Sequence, residues 1–414
     1  MKSEKKALFE NFLSLGVLQI FSYIIPIITL PYQARVLGPD KFGLVNFAYA
    51  FMAYFCLLTD WGFGLSAVRE IAVNRHNKNN ISHIFSAVTC SKIALTVVSY
   101  ILLVICSFFI PKIHDNWLIF QLTFVMVIGS AIYPVWFFLG MERMKYITFL
   151  NVIARLFFLI AIFIFVKQES DYVLVPLLNS LGFLVSGIIG VYFSVKHLGV
   201  RFCIPKLKFI IKQFKYSNQF FLSRVSLSAY TNTNAFCLGL IGSNIMVGYY
   251  AAAEKIYQAI SNLQSPVHQA LYPFVSKNKD IKTYKKWVLV ALLCNIVACG
   301  FVFLIAKPFT ILFYGEQMVE AYKILRIFCV IAMITFPSVL IGFPLLGAFN
   351  HTKEANMSVV AGSILHITGL TLLYLFGIMN IYSIALMVLV TESIVFSIRA
   401  YYVWKYKLLK ENQK

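Results

Sequence analysis

The sequence predicts an all-α integral membrane protein, with about twelve transmembrane helices arranged as two six-helix lobes. Three observations carry that prediction. Apolar stretches of membrane length recur from one end of the chain to the other. Basic residues crowd into alternate connections. Short glycine motifs in the first half reappear at corresponding places in the second.

A bilayer core about 30 Å thick is crossed by roughly 20 helical residues. The apolar stretches supply spans at about 8–34, 42–66, 82–110, 115–139, 146–166 and 172–195 in the first half. The second half supplies 216–241, 246–272, 287–313, 320–348, 355–377 and 380–403. Over 414 residues this leaves almost nothing for a soluble domain. A composition of 60% hydrophobic and 13% charged residues excludes an ordinary soluble protein for the same reason.

The net charge of +20 suggests a polyanion-binding protein until the charges are placed. Most of the Lys and Arg residues fall on one side of the predicted membrane. They occupy the N-terminus (Lys2, Lys5, Lys6), alternate loops (Arg69, Arg75, Lys78; Arg143, Lys145; Lys277, Lys279, Lys282, Lys285, Lys286; Lys353), the central connection (Lys196 to Lys215) and the tail (Arg399, Lys405, Lys407, Lys410, Lys414). The opposite side has only Arg35, Lys41, Lys112 and Lys167 outside the spans. The positive-inside rule therefore puts both termini in the cytoplasm and favours an even number of crossings. The charge is topological, and nucleic acid is not an expected partner. The first apolar segment is too long for a cleavable signal peptide and lacks a small-residue cleavage site.

The central basic connection organises the chain as an N-terminal lobe 1–196, a cytoplasmic linker 197–215 and a C-terminal lobe 216–414. Leu37-Gly38-Pro39-Asp40-Lys41-Phe42-Gly43 separates spans one and two, and Ile241-Gly242 through Val247-Gly248 separates spans seven and eight. Pro134 with Leu139-Gly140 is echoed by Pro344 with Leu346-Gly347. Six spans return the chain to the same side, so such a repeat is related by a pseudo-two-fold axis along the membrane normal.

Polar residues recur at helical spacing in four spans. Span one carries Asn11, Ser14, Gln19, Ser22, Thr29 and Gln33. Span two carries Asn46 and Asp60. Span seven carries Ser217, Arg224, Ser228, Thr231 and Asn234, and span eight carries Glu254, Tyr257, Ser261, Gln264 and His268. Spacings of three and four put each set on one face, and such faces turn toward protein or water rather than lipid. Individually, Ser, Thr and Asn also serve as hydrogen-bonding glue between helices. Ionisable groups inside spans are sharper, because each costs about 2.5–3.5 kcal/mol at mid-helix on insertion scales. They are Asp60, Lys92, Arg155, Arg224, Glu254, Lys255, Lys307, Lys323, Arg326 and Glu392, so cations outnumber anions. Lys307, Lys323 and Arg326 lie near span ends and can snorkel outward. Arg224, Arg155 and Lys255 point to a cavity for an anionic group such as phosphate, which an Arg fork matches. An Asp60–Arg224 pair is expected.

Enzyme signatures are absent: no P-loop, no H-E-x-x-H and no D-x-D pair, and the Gly62-x-Gly64 lacks a strand–helix context. The eight cysteines show neither C-x-x-C nor metal-ligand spacing, and no metal or organic cofactor is expected.

Pro31-Tyr32-x-x-Arg35-Val36-Leu37-Gly38-Pro39-x-x-Phe42-Gly43 and Asp60-x-Gly62-Phe63 resemble the N-terminal signature of polysaccharide exporters of the MOP superfamily. Ile132-Tyr133-Pro134-x-Trp136, Gly140, Glu142, Lys145, Ala251-Ala252-Ala253-Glu254-Lys255-Ile256 and Pro266 to Tyr272-Pro273 continue the match. Within that group the chain is similar to Wzx-type O-antigen flippases. The resemblance implies a central cavity lined by spans one, two, seven and eight. It also implies passage of undecaprenyl-diphosphate-linked oligosaccharide between the leaflets of the bacterial inner membrane. Arg224, Lys255, Arg155 and Arg35 are then the candidate diphosphate ligands. Asp60, Glu254, Asn46, Gln19, Ser228, Thr231, Asn234 and Tyr257 are the candidate cavity or coupling residues. Whether Asp60 or Glu254 carries a coupling H+ or Na+ stays open, as does contact with the polymerase and chain-length proteins of the same pathway. A multidrug exporter of the superfamily is the nearest alternative, although its cavity should be acidic. A membrane glycan polymerase or ligase is a further one, although such enzymes use large outer loops that are missing here.

Overall fold

A computed structural model describes residues 2–231 and 233–410, without the side chains of 2–13, 15, 222–223, 226–227 and 229–231. Among the described residues there are helices and connections and no strands. In the first half the helices are α1 Lys2–Asp60, α2 Phe63–Val73, α3 Lys78–Phe109, α4 Pro111–Asp115, α5 Trp117–Ile132, α6 Val135–Gly140, α7 Met144–Phe165 and α8 Leu174–Lys196. They continue as α9 Leu207–Thr231, α10 Thr233–Ile241, α11 Asn244–Asn278, α12 Ile281–Leu304, α13 Ala306–Tyr314, α14 Ala321–Ile341, α15 Thr352–Leu375 and α16 Ile381–Lys405. Every predicted span falls largely on these helices, the span 115–139 touching three of them.

Nine helical segments among the described residues are long and apolar enough to cross a membrane, which makes this a multi-pass membrane protein. One of them, Gly16–Val73, has 58 residues, about 87 Å of helix in all and enough for two crossings. Within α1 the break is a single residue. Gly38 takes φ 64 and ψ 174, a conformation open to glycine, and Pro39 starts the next helical stretch with its φ already set. The spans expected at 216–241 and 246–272 are helical as α9–α10 and α11 but are not among the nine, because their polar faces dilute the hydropathy.

Other helices start on side-chain caps. The Asn77 side chain accepts from Asn80 N at 3.0 Å, Ser243 from Met246 N at 3.3 Å and Asp280 from Thr283 N at 3.0 Å. The Thr283 hydroxyl and N–H hold the Asp280 carboxyl below its usual range. Before α8, Asp171 accepts from Lys167 N and Gln168 N, and its carboxyl is lowered in the same way.

Contacts divide the chain into two compact units, Met1–Ser228 and Ala229–Lys414. In the first, α1 packs on α3, α5 and α7, and α5 on α8. The α5–α8 crossing is built on glycine. A Cβ at Gly129 would stand 2.6 Å from Leu184 N and 2.9 Å from the Phe183 Cβ; one at Gly187 would stand 2.9 Å from Gly129 O. Small residues of this kind let membrane helices approach backbone to backbone. Gly129→Val is therefore expected to force the two helices apart and cost about 1–3 kcal/mol, measurable as a lower unfolding temperature in detergent.

The basic connection is tied to this unit. Ser82 and Ser86, one turn apart on α3, accept from Arg201 N and Cys203 N, each at 3.0 Å. In the second unit α14 packs on α11, α12 and α16, and α15 packs on α16.

The glycine–proline echo seen in the sequence is an echo of backbone shape. In the first unit α5 breaks at Tyr133-Pro134, and the chain turns after α6 with Glu142 at φ 55 and Arg143 N bonded to Phe138 O. In the second unit α14 ends at Ile341 and a π-turn covers Gly342–Leu346. The chain then turns with Asn350 at φ 66 and His351 N bonded to Leu346 O. Both turns close the same six-residue ring around one left-handed residue.

Candidate functional site

The polar centre of the first unit is assembled where α1 turns into α2. Trp61 and Gly62 take φ 41 and φ 76, so the chain bends sharply just after Asp60. The bend leaves room for another helix. A Cβ on Gly62 would lie 2.8 Å from both Phe221 N and Ser217 O, so the α9 backbone sits directly against this glycine. The Trp61 indole stacks on Phe221 at 4.1 Å and 10°. Farther along, Ser66 and Ser217 hydroxyls meet at 2.6 Å, and Gln213 Nε2 donates to Glu70 Oε2 at 2.8 Å. These contacts run in opposite order on α2 and α9, so the two helices are antiparallel and in fixed register.

That register brings Arg224 to Asp60. Arg224 Nη1 stands 3.2 Å from Asp60 Oδ2, and Lys92 Nζ stands 3.9 Å from Asp60 Oδ1. The pairing expected from the sequence is present, with a second cation added. Lys92 is buried, its side chain 5% exposed, and Nζ also donates to Ser130 O at 3.3 Å. That carbonyl is available for a chemical reason: its normal helical donor would be residue 134, and Pro134 has no N–H. One carboxylate thus faces two cations, leaving an excess of one positive charge. The excess is presented by Arg224, whose side chain is 41% exposed. Gly64 keeps the space beside it clear, since a Cβ there would be 3.1 Å from Arg224 Nη2.

The other predicted residues of this unit behave differently. Arg155 is half-buried on α7 and forms no ion pair among the described residues, and Arg35 is exposed on α1. Asn46 Nδ2 donates to Phe42 O of its own helix at 2.8 Å, and the exposed Gln19 donates to Tyr23 Oη at 2.5 Å. Each of these amides makes one bond within its own helix and keeps its oxygen for a further partner. Ser228 is buried. The side chains of Thr231 and Asn11 lie outside the described residues.

In the second unit Tyr257 stacks on Phe328 at 5.1 Å and donates to Thr335 Oγ1 at 3.3 Å. Lys255 Nζ donates to Gln258 Oε1 at 3.4 Å, with Glu254 beside it on α11. Asn234 is buried and its Oδ1 lies 2.9 Å from His366 Nε2. Arg326 is held among residues at the ends of α12 and α14: Nε donates to Phe303 O at 3.2 Å and the guanidinium lies over Phe303 and Tyr322. Lys323 pairs with Glu320 at 2.6 Å. Arg399, counted from the sequence among the cytoplasmic cations, is buried at 7% exposure. Its Nε donates to Ser358 Oγ at 2.9 Å and its Nη1 to Ser338 O at 2.9 Å. The guanidinium fits against Gly342, where a Cβ would be 3.2 Å away. Among the described residues no cluster of His, Cys, Asp and Glu is arranged to hold a metal.

Residues 8–279 match the family model described as "Polysaccharide biosynthesis protein", which covers well over half of the chain. The chain belongs to this family. Among curated members, a "Putative O-antigen transporter" of Escherichia coli (strain K12) is 29% identical over 99% of this chain and 100% of its own length. A protein of the same description from Shigella dysenteriae is 28% identical over 90% of this chain and 93% of its own length. Among solved structures, the "Lipid II flippase MurJ, inward closed conformation" superposes with a TM-score of 0.73, covering 97% of this chain and 89% of that one at 13% identity. An inward-facing multidrug resistance MATE transporter of the MOP superfamily gives 0.69 over 98% of this chain and 100% of its own, also at 13% identity. The fold expected from the resemblance is therefore the fold of this family member.

Lys92 was visible in the sequence only as an unexplained intramembrane charge. Pro134 was the signal that could have placed it, since a proline frees the carbonyl four residues earlier for a donor from a neighbouring helix. His366 gave less warning, being a lone histidine in an otherwise apolar span.

Proposed function

We propose that this protein translocates undecaprenyl-diphosphate-linked oligosaccharide repeat units, of O-antigen or a related surface polysaccharide, from the cytoplasmic to the periplasmic leaflet of the bacterial inner membrane. The single observation that carries the reading is the excess cation at Arg224. Inside a membrane helix, an exposed guanidinium backed by a neutralised Asp60–Lys92 pair is suited to a diphosphate, which it can grip through two parallel hydrogen bonds. Lys255, Arg155 and Arg35 are further candidate ligands, and Gln19, Asn46, Ser228, Thr231, Asn234 and Tyr257 offer polar groups to the sugars. Asp60 and Glu254 are the candidate coupling residues in this reading. The family relationship and the descriptions of the relatives support it.

The protein acts as a secondary transporter by alternating access, with both termini in the cytoplasm, and not as an enzyme. A substrate with about two negative charges gains roughly 4–5 kcal/mol per 100 mV on moving outward against an inside-negative potential. That gain favours export without ATP. The prenyl tail stays in lipid throughout, and the polymerase and chain-length proteins of the pathway receive the product. An exporter of small cationic molecules is disfavoured by the same excess positive charge.

Deleting the gene is expected to accumulate lipid-linked repeat units on the cytoplasmic face and to remove the surface glycan. Repeat units that reach the outer face but remain unpolymerised would replace this reading with that of a polymerase.

A further inference from the structure

His366 is fully buried in the middle of α15, yet both of its ring nitrogens are matched. Nε2 lies 2.9 Å from Asn234 Oδ1 on α10, and Nδ1 lies 3.0 Å from Thr391 Oγ1 on α16. Thr391 Oγ1 is in turn 2.7 Å from Met387 O, one turn back on its own helix. Three helices of the second unit meet at this ring. The arrangement contrasts with His268 on α11, whose two shielded nitrogens have no hydrogen-bond partner among the described residues.

The hydrogen count at Thr391 gives the cluster its significance. A hydroxyl has one hydrogen and can accept as well as donate, and here two acceptors lie within its reach. With a neutral ring, Nε2–H donates to Asn234 Oδ1 and the Thr391 hydroxyl donates to Nδ1. With a protonated ring, Nε2–H still donates to Asn234. Nδ1–H now donates to Thr391 Oγ1, whose own hydrogen turns to Met387 O. Every polar atom is satisfied in both states. One hydroxyl rotation separates them, and no heavy atom moves. A buried polar group left unmatched costs about 1–3 kcal/mol, so a ring built only for packing gains nothing from a surrounding that serves both protonation states.

We propose that His366 is a proton-binding site of the second unit, and that protons taken up and released there are coupled to translocation. The inference rests on the transport reading above and names its coupling ion. A proton enters as the imidazolium forms and leaves from the same ring, with no other group changed. Among the described residues, the helices around the ring carry Cys237 on α10, Tyr250, Glu254, Lys255 and Tyr257 on the adjoining α11, and Glu392 and Arg399 on α16, besides groups nearer the helix ends. Of these, Glu392 adjoins Thr391 in sequence and is buried, and the Arg399 guanidinium is already engaged by Ser338 and Ser358. Histidine is the side chain whose ordinary range lies nearest neutral pH.

The first test uses the unaltered full-length protein in lipid nanodiscs, with 15N-labelled histidine followed by NMR and the His366 signal assigned by its loss in His366→Gln. Conversion between the neutral and doubly protonated ring across about pH 5–8 is expected. A ring that keeps one form over that whole range overturns the proposal. The second test follows flipping of a fluorescent undecaprenyl-diphosphate-linked glycan in proteoliposomes. A pH gradient is expected to change the wild-type rate at least several-fold and to leave the His366→Gln rate unchanged. Thr391→Val, which removes the hydroxyl but keeps its volume, should lose the gradient response in the same way. If His366→Gln responds like wild type, the site is wrong and the transport reading stands. If the wild type does not flip the glycan at all, the transport reading fails, and the NMR titration alone decides whether His366 binds a proton.

Discussion

Arg224→Ala is expected to abolish export of lipid-linked glycan while leaving the protein folded and inserted. Asp60 keeps Lys92 at 3.9 Å in the variant, so no buried charge is stranded, and Arg224 itself is 41% exposed. What disappears is the guanidinium fork. Each charge-assisted hydrogen bond to phosphate is worth about 1.5–3 kcal/mol, so losing two removes about 3–6 kcal/mol. That corresponds to a loss of roughly 100-fold or more in transport. Arg224→Lys keeps the charge without the planar fork and should fall between the two. Surface glycan can be scored beside the amount of transporter in the membrane fraction. Undiminished glycan from a normally inserted Arg224→Ala protein would remove Arg224 from the substrate path.

Asp60→Ala is expected to act on stability. It leaves the buried Lys92 ammonium with only the Ser130 carbonyl, and stranding a buried charge in this way costs about 3–5 kcal/mol. A second change, Lys92→Met, should restore most of the loss, because it removes the stranded charge and fills similar volume. Thermal unfolding of the single and double variants in detergent measures both effects, and the rescue is the decisive quantity. A double variant no more stable than Asp60→Ala alone would mean that the two groups do not sense each other.

The fold class was legible because it depends on the coarsest signals in the chain. Apolar length and the placement of lysine and arginine do not require knowing which helix touches which. The Asp60–Arg224 pair was also legible, since both residues fall a similar number of positions from the expected cytoplasmic ends of their spans. Other features were hidden for definite reasons. The serine bonds that hold residues 201 and 203 on α3 join distant parts of the chain through side chains too common to be noticed. The bonds that Asn46 and Gln19 make within their own helices were hidden because helical spacing reports a shared face and not the partner of each amide. Arg399 looked cytoplasmic because it precedes the basic tail. Its burial depends on the break at Gly342, which opens a place for a guanidinium against α14. The Pro134 and Pro344 echoes were read as local similarity and turn out to have a shared consequence. Each frees the carbonyl four residues earlier, Ser130 O for Lys92 and Leu340 O for the Tyr284 hydroxyl at 3.0 Å.

The polar face of α11 also sets a condition on how the chain is made. A ribosome delivers helices to the membrane one after another, and a segment is released into lipid alone only when its own hydropathy suffices. α11 falls short of that, with Glu254, Lys255, Gln264 and His268 along its length. The partner that receives Tyr257 and covers its aromatic face is α14, through Phe328 and Thr335. That helix begins at Ala321, long after α11 has left the ribosome. α11 must therefore wait at the insertion machinery, or lie at the interface, until synthesis has passed α14. The residues that make the transporter polar inside also fix the order in which its second half can be completed.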